Sequence, residues 1–189
     1  SGTVYLFNRS TGSLIRTYDN PNSFGTGAND RFGSTMSMHN NKLVVGVGDE
    51  DDAGGLGSGK AYIIDVTSSS VSPQGFLHNP NSNGAGDGFG RSVATDGTIV
   101  VVGAPSVDEP GNINSGKVYV YNASTYSLLQ TIDNPNAYDT SAGDYFGGSV
   151  AVDGNTIVVG AMLEDDGGGN DSGAVYVFDA TTYELLYTF

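Results

Sequence analysis

The chain has no cysteine and no tryptophan, and basic residues are scarce: seven Lys and Arg stand against 21 Asp and Glu. Without cysteine there are no disulfides, no thiolate metal sites and no cysteine nucleophile. The formal charge of −14 repels phosphate backbones and anionic lipid, which argues against a nucleic-acid partner. No stretch approaches the roughly 18 consecutive apolar residues of a spanning helix, so membrane insertion is not expected. Histidine occurs only at His39 and His78, in unrelated places, so neither a catalytic triad nor a metal-ligand spacing involves it. Gly167-Gly168-Gly169 has no following Lys-Ser/Thr and opens no helix, so it is not a phosphate cradle.

What the chain does contain is repetition. Ser-Gly recurs at 1–2, 58–59, 115–116 and 172–173, a constant step of 57 residues. Phe32-Gly33, Phe89-Gly90 and Phe146-Gly147 follow the same step, each shortly after an aspartate: Asp30, Asp87 or Asp144. Asn-Pro-Asn stands at 20–22, 79–81 and 134–136. The 29 glycines fall at fixed places rather than in tracts, as tight turns require and low-complexity disorder does not. The units are 1–57, 58–114 and 115–171, with a partial copy at 172–189.

Each unit carries four short strand signals. In the third these are 117–121, 127–132, 148–152 and 156–160, with Asp153-Gly154-Asn155 as a hairpin turn between the last two. Alternation of apolar and polar residues marks most of them, and Asp-Gly suits the positive φ of a tight hairpin. No segment sustains a 3.6-residue period. The chain reads as all-β. Four short antiparallel strands per 57 residues describe the blade of a β-propeller, and the chain holds about three and a half blades. The doubly apolar run at 99–102 is expected deep in a blade, between neighbours. Three and a half blades do not close a ring, so residues 1–189 read as part of a larger propeller, in keeping with the start at Ser1 rather than Met, or as one repeat domain of which two copies complete a ring together. Open blade edges invite self-association.

The run Asp144-Tyr145-Phe146-Gly147-Gly148-Ser149-Val150-Ala151-Val152-Asp153-Gly154, followed by Ile157-Val158-Val159-Gly160-Ala161, resembles the FG-GAP repeat family, which includes the integrin α-subunit propeller. The second copy carries the full Gly103-Ala104-Pro105, whereas the first reads Gly46-Val47-Gly48. In style the repeats are similar to those of marine bacterial surface proteins and marine phage structural proteins. The resemblance implies an extracellular, cell-surface or virion setting. Integrin-type repeats hold calcium in a long acidic loop between the first two blade strands. Here that connection is a three-residue turn, so that site does not carry over.

The acids stand elsewhere. Glu50 and Asp51, Asp108 and Glu109, and Glu164 and Asp165 follow the fourth strand signal of each unit. Together with Asp30, Asp87 and Asp144 they form the candidate metal-ligand set, and Ca2+ is the cation such clustered hard donors favour. The competing reading is a solvated acidic loop. Because the acids recur in equivalent positions, the single asymmetric site that catalysis needs is missing, and no enzyme activity is expected. Asn8, Asn122 and Asn170 head glycosylation-type triplets. The expected function is a non-enzymatic module for adhesion, receptor contact or structural display. Its partners would be a protein or glycan receptor on a cell surface, or neighbouring structural subunits. The binding surface would be the Asn-Pro-Asn to Phe-Gly loops and the acidic loops, with Phe24, Tyr138 and Tyr145 as aromatic candidates. A calcium-dependent lectin-like domain and part of a polysaccharide-active enzyme are the alternatives.

Overall fold

The computed structural model describes residues 2–22, 29–51, 55–81, 84–135, 142–165 and 171–189. Every regular element among them is a strand. In chain order these are β1 (Thr3–Phe7), β2 (Leu14–Asp19), β3 (Thr35–His39), β4 (Lys42–Val47), β5 (Lys60–Asp65), β6 (Gly75–His78), β7 (Ser92–Thr95), β8 (Ile99–Ala104), β9 (Lys117–Asn122), β10 (Leu128–Asp133), β11 (Phe146–Asp153), β12 (Thr156–Ala161), β13 (Ala174–Asp179) and β14 (Leu185–Thr188). They form three four-stranded antiparallel meanders, β3–β6, β7–β10 and β11–β14, preceded by the two-stranded β1–β2 sheet. These sheets are the blades of a β-propeller: three complete and one half.

The blades are out of phase with the sequence units. Strands β9 and β10 share a unit with β11 and β12, yet they pair with β7 and β8. Each complete blade therefore takes its inner pair of strands from one unit and its outer pair from the next. Successive blades stack through three apolar cores. The first gathers Val4, Tyr18, Phe32, Val45 and Tyr62; the second Val44, Ile63, Phe89, Val102 and Tyr119; the third Val101, Val120, Phe146, Val159 and Tyr176. Neighbouring residues of one strand, such as Val44 and Val45, serve different cores. The central strand β8 is accordingly buried along its whole length, as its unbroken apolar run predicts.

Each core is centred on the phenylalanine of a Phe-Gly pair. Phe32, Phe89 and Phe146 are buried and meet Tyr62, Tyr121 and Tyr176 edge-on, at centroid distances of 5.8, 6.1 and 5.5 Å. Burying such a ring contributes about 2–3 kcal/mol. The following glycines, Gly33, Gly90 and Gly147, sit at φ of 89°, 91° and 89°, where an L side chain is strained. Their turns press backbone against backbone. A Cβ built on Gly46 would lie 2.1 Å from the carbonyl oxygen of Gly90, and one on Gly103 would lie 2.0 Å from that of Gly147. The Ser92 hydroxyl donates to the same Gly147 carbonyl at 2.7 Å.

Beyond the third blade this seam is open. Ser149, Gly160 and Gly173, the counterparts of Ser92, Gly103 and Gly116, line a surface cleft with Met162 and Val175, and Met162 is 60% exposed. At the other end Tyr5, Phe7, Leu14 and Ile15 of the half blade are exposed.

Replacing Gly103 by Ala is expected to cost about 3 kcal/mol through overpacking against rigid backbone. Ala at Gly154, which has open space around its Cβ position, should cost only about 1 kcal/mol through its positive φ. Denaturant midpoints of the two variants, compared with the parent chain, measure the difference; equal losses would show that the close approach is not rigid.

Candidate functional site

Alternation along the meanders places the two kinds of connection at opposite ends of the blades. The short hairpin turns, 40–41, 96–98 and 154–155, lie at one end. The connections that follow β2, β4, β6, β8, β10 and β12 leave from the other, where their described residues build the loop-rich rim. There the loop following the second strand of the first complete blade, and that of the second, is laced to the loop entering the next blade. Gly86 N–H donates to Leu56 O, Gly88 N–H to Gly57 O and Phe89 N–H to Ser58 O. One repeat on, Gly143, Tyr145 and Phe146 donate to Ile113, Asn114 and Ser115 in the same pattern. The two loop families expected to form a binding surface are thus joined at one rim.

Every one of the nine candidate metal ligands is found in the described residues. Asp30, Asp87 and Asp144 are buried, clamped by the Asn-Pro-Asn motif. Asp30 Oδ2 accepts from Asn20 and Asn22 Nδ2 at 2.8 and 2.7 Å. Asp87 Oδ2 accepts from Asn79 and Asn81 at 2.8 and 2.9 Å, and Asp144 Oδ2 from Asn134 at 2.7 Å. Hydrogen bonds to a carboxylate contribute about 1.5–3 kcal/mol each, so the motif secures the Phe-Gly corner that follows.

Asp51, Asp108 and Asp165 close the acidic loops. Their Oδ1 atoms accept the backbone N–H six residues on, from Gly57, Asn114 and Asp171, at 2.9, 2.8 and 2.7 Å. The donating residues share a left-handed φ of 63°, 55° and 55°.

Glu50 is fully buried; its Oε1 accepts from the Tyr62 hydroxyl at 2.5 Å and from Lys60 Nζ at 3.1 Å. Glu164 is buried at the same place one blade pair later, where Ala174 stands in the position of Lys60. The second complete blade has Val107 there, and its Lys117 instead bridges Glu109 and Asp133. Asp49 joins Arg31 and Arg91 across the first rim interface, at 3.2 and 3.3 Å.

Amide donors engage Oδ2 of Asp30, Asp87 and Asp144, and ammonium and phenol donors engage Oε1 of Glu50. Among the described residues no group of three or more acids, or of acids with histidine, stands close enough to hold a metal ion. Asp52 and Asp166 in the acidic loops lie outside the described residues, as do Phe24, Tyr138 and the Gly167-Gly168-Gly169 run. Tyr145 is half-buried with φ of 55° and shapes the corner before Phe146. Asn8 and Asn122 build turns: each Oδ1 accepts two backbone N–H groups at 2.9 Å. Asn170 lies outside the described residues.

Two features of the rim escaped the sequence pattern. Leu56 and Ile113 occupy equivalent loop tips and are 77% and 69% exposed, although their carbonyls are pinned by the lacing. Their signal was an apolar residue within a glycine-rich polar loop, at the same place in two units.

The FG-GAP repeat family model matches the chain three times, over residues 25–64, 80–121 and 136–178. Each match takes in one Phe-Gly corner, the inner strand pair it opens, and the third strand of that blade. No curated protein matches the chain. FG-GAP repeats are commonly calcium-binding and typically occur in extracellular proteins; no helix among the described residues is long and apolar enough to cross a membrane.

Burial holds the Glu50 carboxyl above its ordinary value of 4.5, overcoming the Tyr62 and Lys60 hydrogen bonds that lower it. Burial likewise raises Asp87, against the Asn79 and Asn81 amides. A folded carboxyl that keeps its proton to higher pH contributes stability that is full below the unfolded value and is lost as pH rises through the folded one. Unfolding free energy from denaturant titrations should therefore fall as pH is raised from 4.5, and Glu50→Gln should flatten that fall. The thermal midpoint should not differ between calcium and chelator, because a cation bound to the folded state alone would raise it. A rise of the midpoint in calcium would show that the acidic loops hold a cation.

Proposed function

The chain belongs to the FG-GAP repeat family, and from that premise we propose that it is a non-enzymatic, extracellular β-propeller module for adhesion or receptor contact, acting through its loop-rich rim. The observation that carries this reading is the pair Leu56 and Ile113. A large apolar side chain held in water on a backbone-pinned loop serves no core, and its repetition at one rim makes a contact surface. The acids of the same loops are consumed in holding them, which supplies a rigid platform rather than an acid–base pair. Rigid loops bind with less ordering cost than mobile ones.

The reading includes the partners such a surface fits, a protein or glycan receptor on a cell surface. Structural display, with neighbouring structural subunits as the partners, is the second reading.

Beads coated with the chain are expected to adhere to cell surfaces, and beads coated with the Leu56→Ser/Ile113→Ser double variant to lose most of that adhesion. Because both side chains are exposed, the double variant should keep its stability to within about 0.5 kcal/mol. Equal adhesion by both coatings would remove the rim from the reading. Absence of adhesion, with a solution mass of two or more chains, would favour structural display.

A further inference from the structure

The outer strand of the first complete blade departs from the repeat. In the half blade and in the second blade, the outer strand ends in Thr-x-Asp: Thr17 and Asp19, Thr131 and Asp133. The third blade keeps Thr188. At the corresponding positions the first blade has Phe76 and His78, opposite Tyr62 and Lys60 in the ladder. The hairpin leading into this strand is also longer, 66–74 against 123–127 and 180–184. None of these changes is required by the fold, since the other blades form without them.

All three departures meet at one place. Phe76, His78, Ser72 and Pro73 line a cleft of about 490 Å³ with Tyr62, Lys60 and Pro21. The equivalent cleft of the second blade is lined by Thr131, Lys117, Asp108 and Glu109, and there Lys117 lies between Glu109 and Asp133. In the first blade the acid of the outer strand is gone, and Lys60 turns inward onto Glu50 at 3.1 Å, with its side chain 3% exposed. The charge beneath the cleft is thereby paired. What faces solvent is Phe76, 53% exposed, with the His78 ring edge-on at 4.9 Å. The longer hairpin is held in place by the Arg16 guanidinium, which donates to the Ser68 carbonyl.

We propose that this cleft is a binding site for a neutral saccharide ring. A pyranose has an apolar face of C–H groups bounded by hydroxyls. The cleft offers the complement: an exposed aromatic face between two prolines, with the Ser72 hydroxyl and the His78 imidazole as polar groups at its margin. The chain's charge of −14 disfavours uronates and sialylated sugars, and no cation is part of the site. The cleft runs along the outer strands and does not include Leu56 or Ile113, so its occupancy and the adhesion of the rim are scored separately.

The test is nuclear magnetic resonance titration of the whole chain with glucose, N-acetylglucosamine, cellohexaose, chitohexaose, xylohexaose and mannohexaose. A single ring on one aromatic face binds weakly, with dissociation constants on the order of 1 mM. At least one probe should give saturable shifts centred on Phe76, His78 and Tyr62. Phe76→Thr, which installs the residue the other blades carry, should weaken that binding at least about tenfold without changing the unfolding midpoint. His78→Asp, which restores the acid, should weaken it as well. Failure of every probe to bind, or binding that survives Phe76→Thr unchanged, overturns the proposal. So does saturable binding of a proline-rich peptide to the cleft in place of the sugars.

Discussion

The arrangement rests on a contact between two backbones. At each interior blade interface the carbonyl of a Phe-Gly glycine lies so near the facing strand that only glycine is admitted there, Gly46 against Gly90 and Gly103 against Gly147. The contact is short because the preceding phenylalanine is sunk in the core, and it keeps its shape because the glycine adopts a positive φ. Phenylalanine supplies the apolar driving force and glycine the proximity. The aspartate two residues earlier, held by Asn-Pro-Asn, presents the corner in a fixed orientation. Packing, chirality and a buried carboxylate act on the same four residues, which is why those residues recur with so little variation.

Acidity in this chain has two physical meanings. Asp65 and Asp179 stand partly exposed at the hairpin turns, and hydrogen bonds from Thr67 and from Thr182 and Thr181 hold them below the usual carboxylate value. Glu50 and Asp87 lie in the interfaces, where loss of water outweighs their hydrogen bonds and raises them. Carboxylates that look alike as a composition are thus divided by burial into solvated turn caps and desolvated internal struts. Asparagine amides hold the first kind of strut, Asp87, and the Tyr62 hydroxyl and Lys60 ammonium hold the second, Glu50.

Much of the fold was legible in the sequence because glycine, phenylalanine and proline act through local geometry. The 57-residue step, the Asp153-Gly154-Asn155 turn and the depth of 99–102 all reappear in the structure. The strand partners were less legible. Four strand signals within one unit suggested one blade, but pairing depends on which edges remain free, and the blade forms across the unit boundary. The acids were the least legible. A regular spacing of carboxylates reports that they share a role without saying whether the role is to hold a cation or a peptide N–H. Asp51 and Asp108 reach a backbone amide six residues away, a relation set by the left-handed residues Gly57 and Asn114 rather than by any pattern of acids. Phe76 and His78 were visible only as exceptions, and an exception carries meaning once the neighbouring strand shows what it faces.

The half-unit offset between sequence copies and sheets also bears on how such a chain can change in length. Excising one 57-residue segment removes the inner half of one sheet together with the outer half of its neighbour. The halves left behind still present matching edges. Without 58–114, Glu50 would meet Lys117 in place of Lys60; without 115–171, Val107 would meet Ala174 in place of Lys117. Charge is matched with charge and hydrocarbon with hydrocarbon at both new junctions. Gain or loss of whole copies by recombination is therefore a change the architecture can absorb in a single step, and blade number becomes a heritable variable of the lineage rather than a fixed property of the fold.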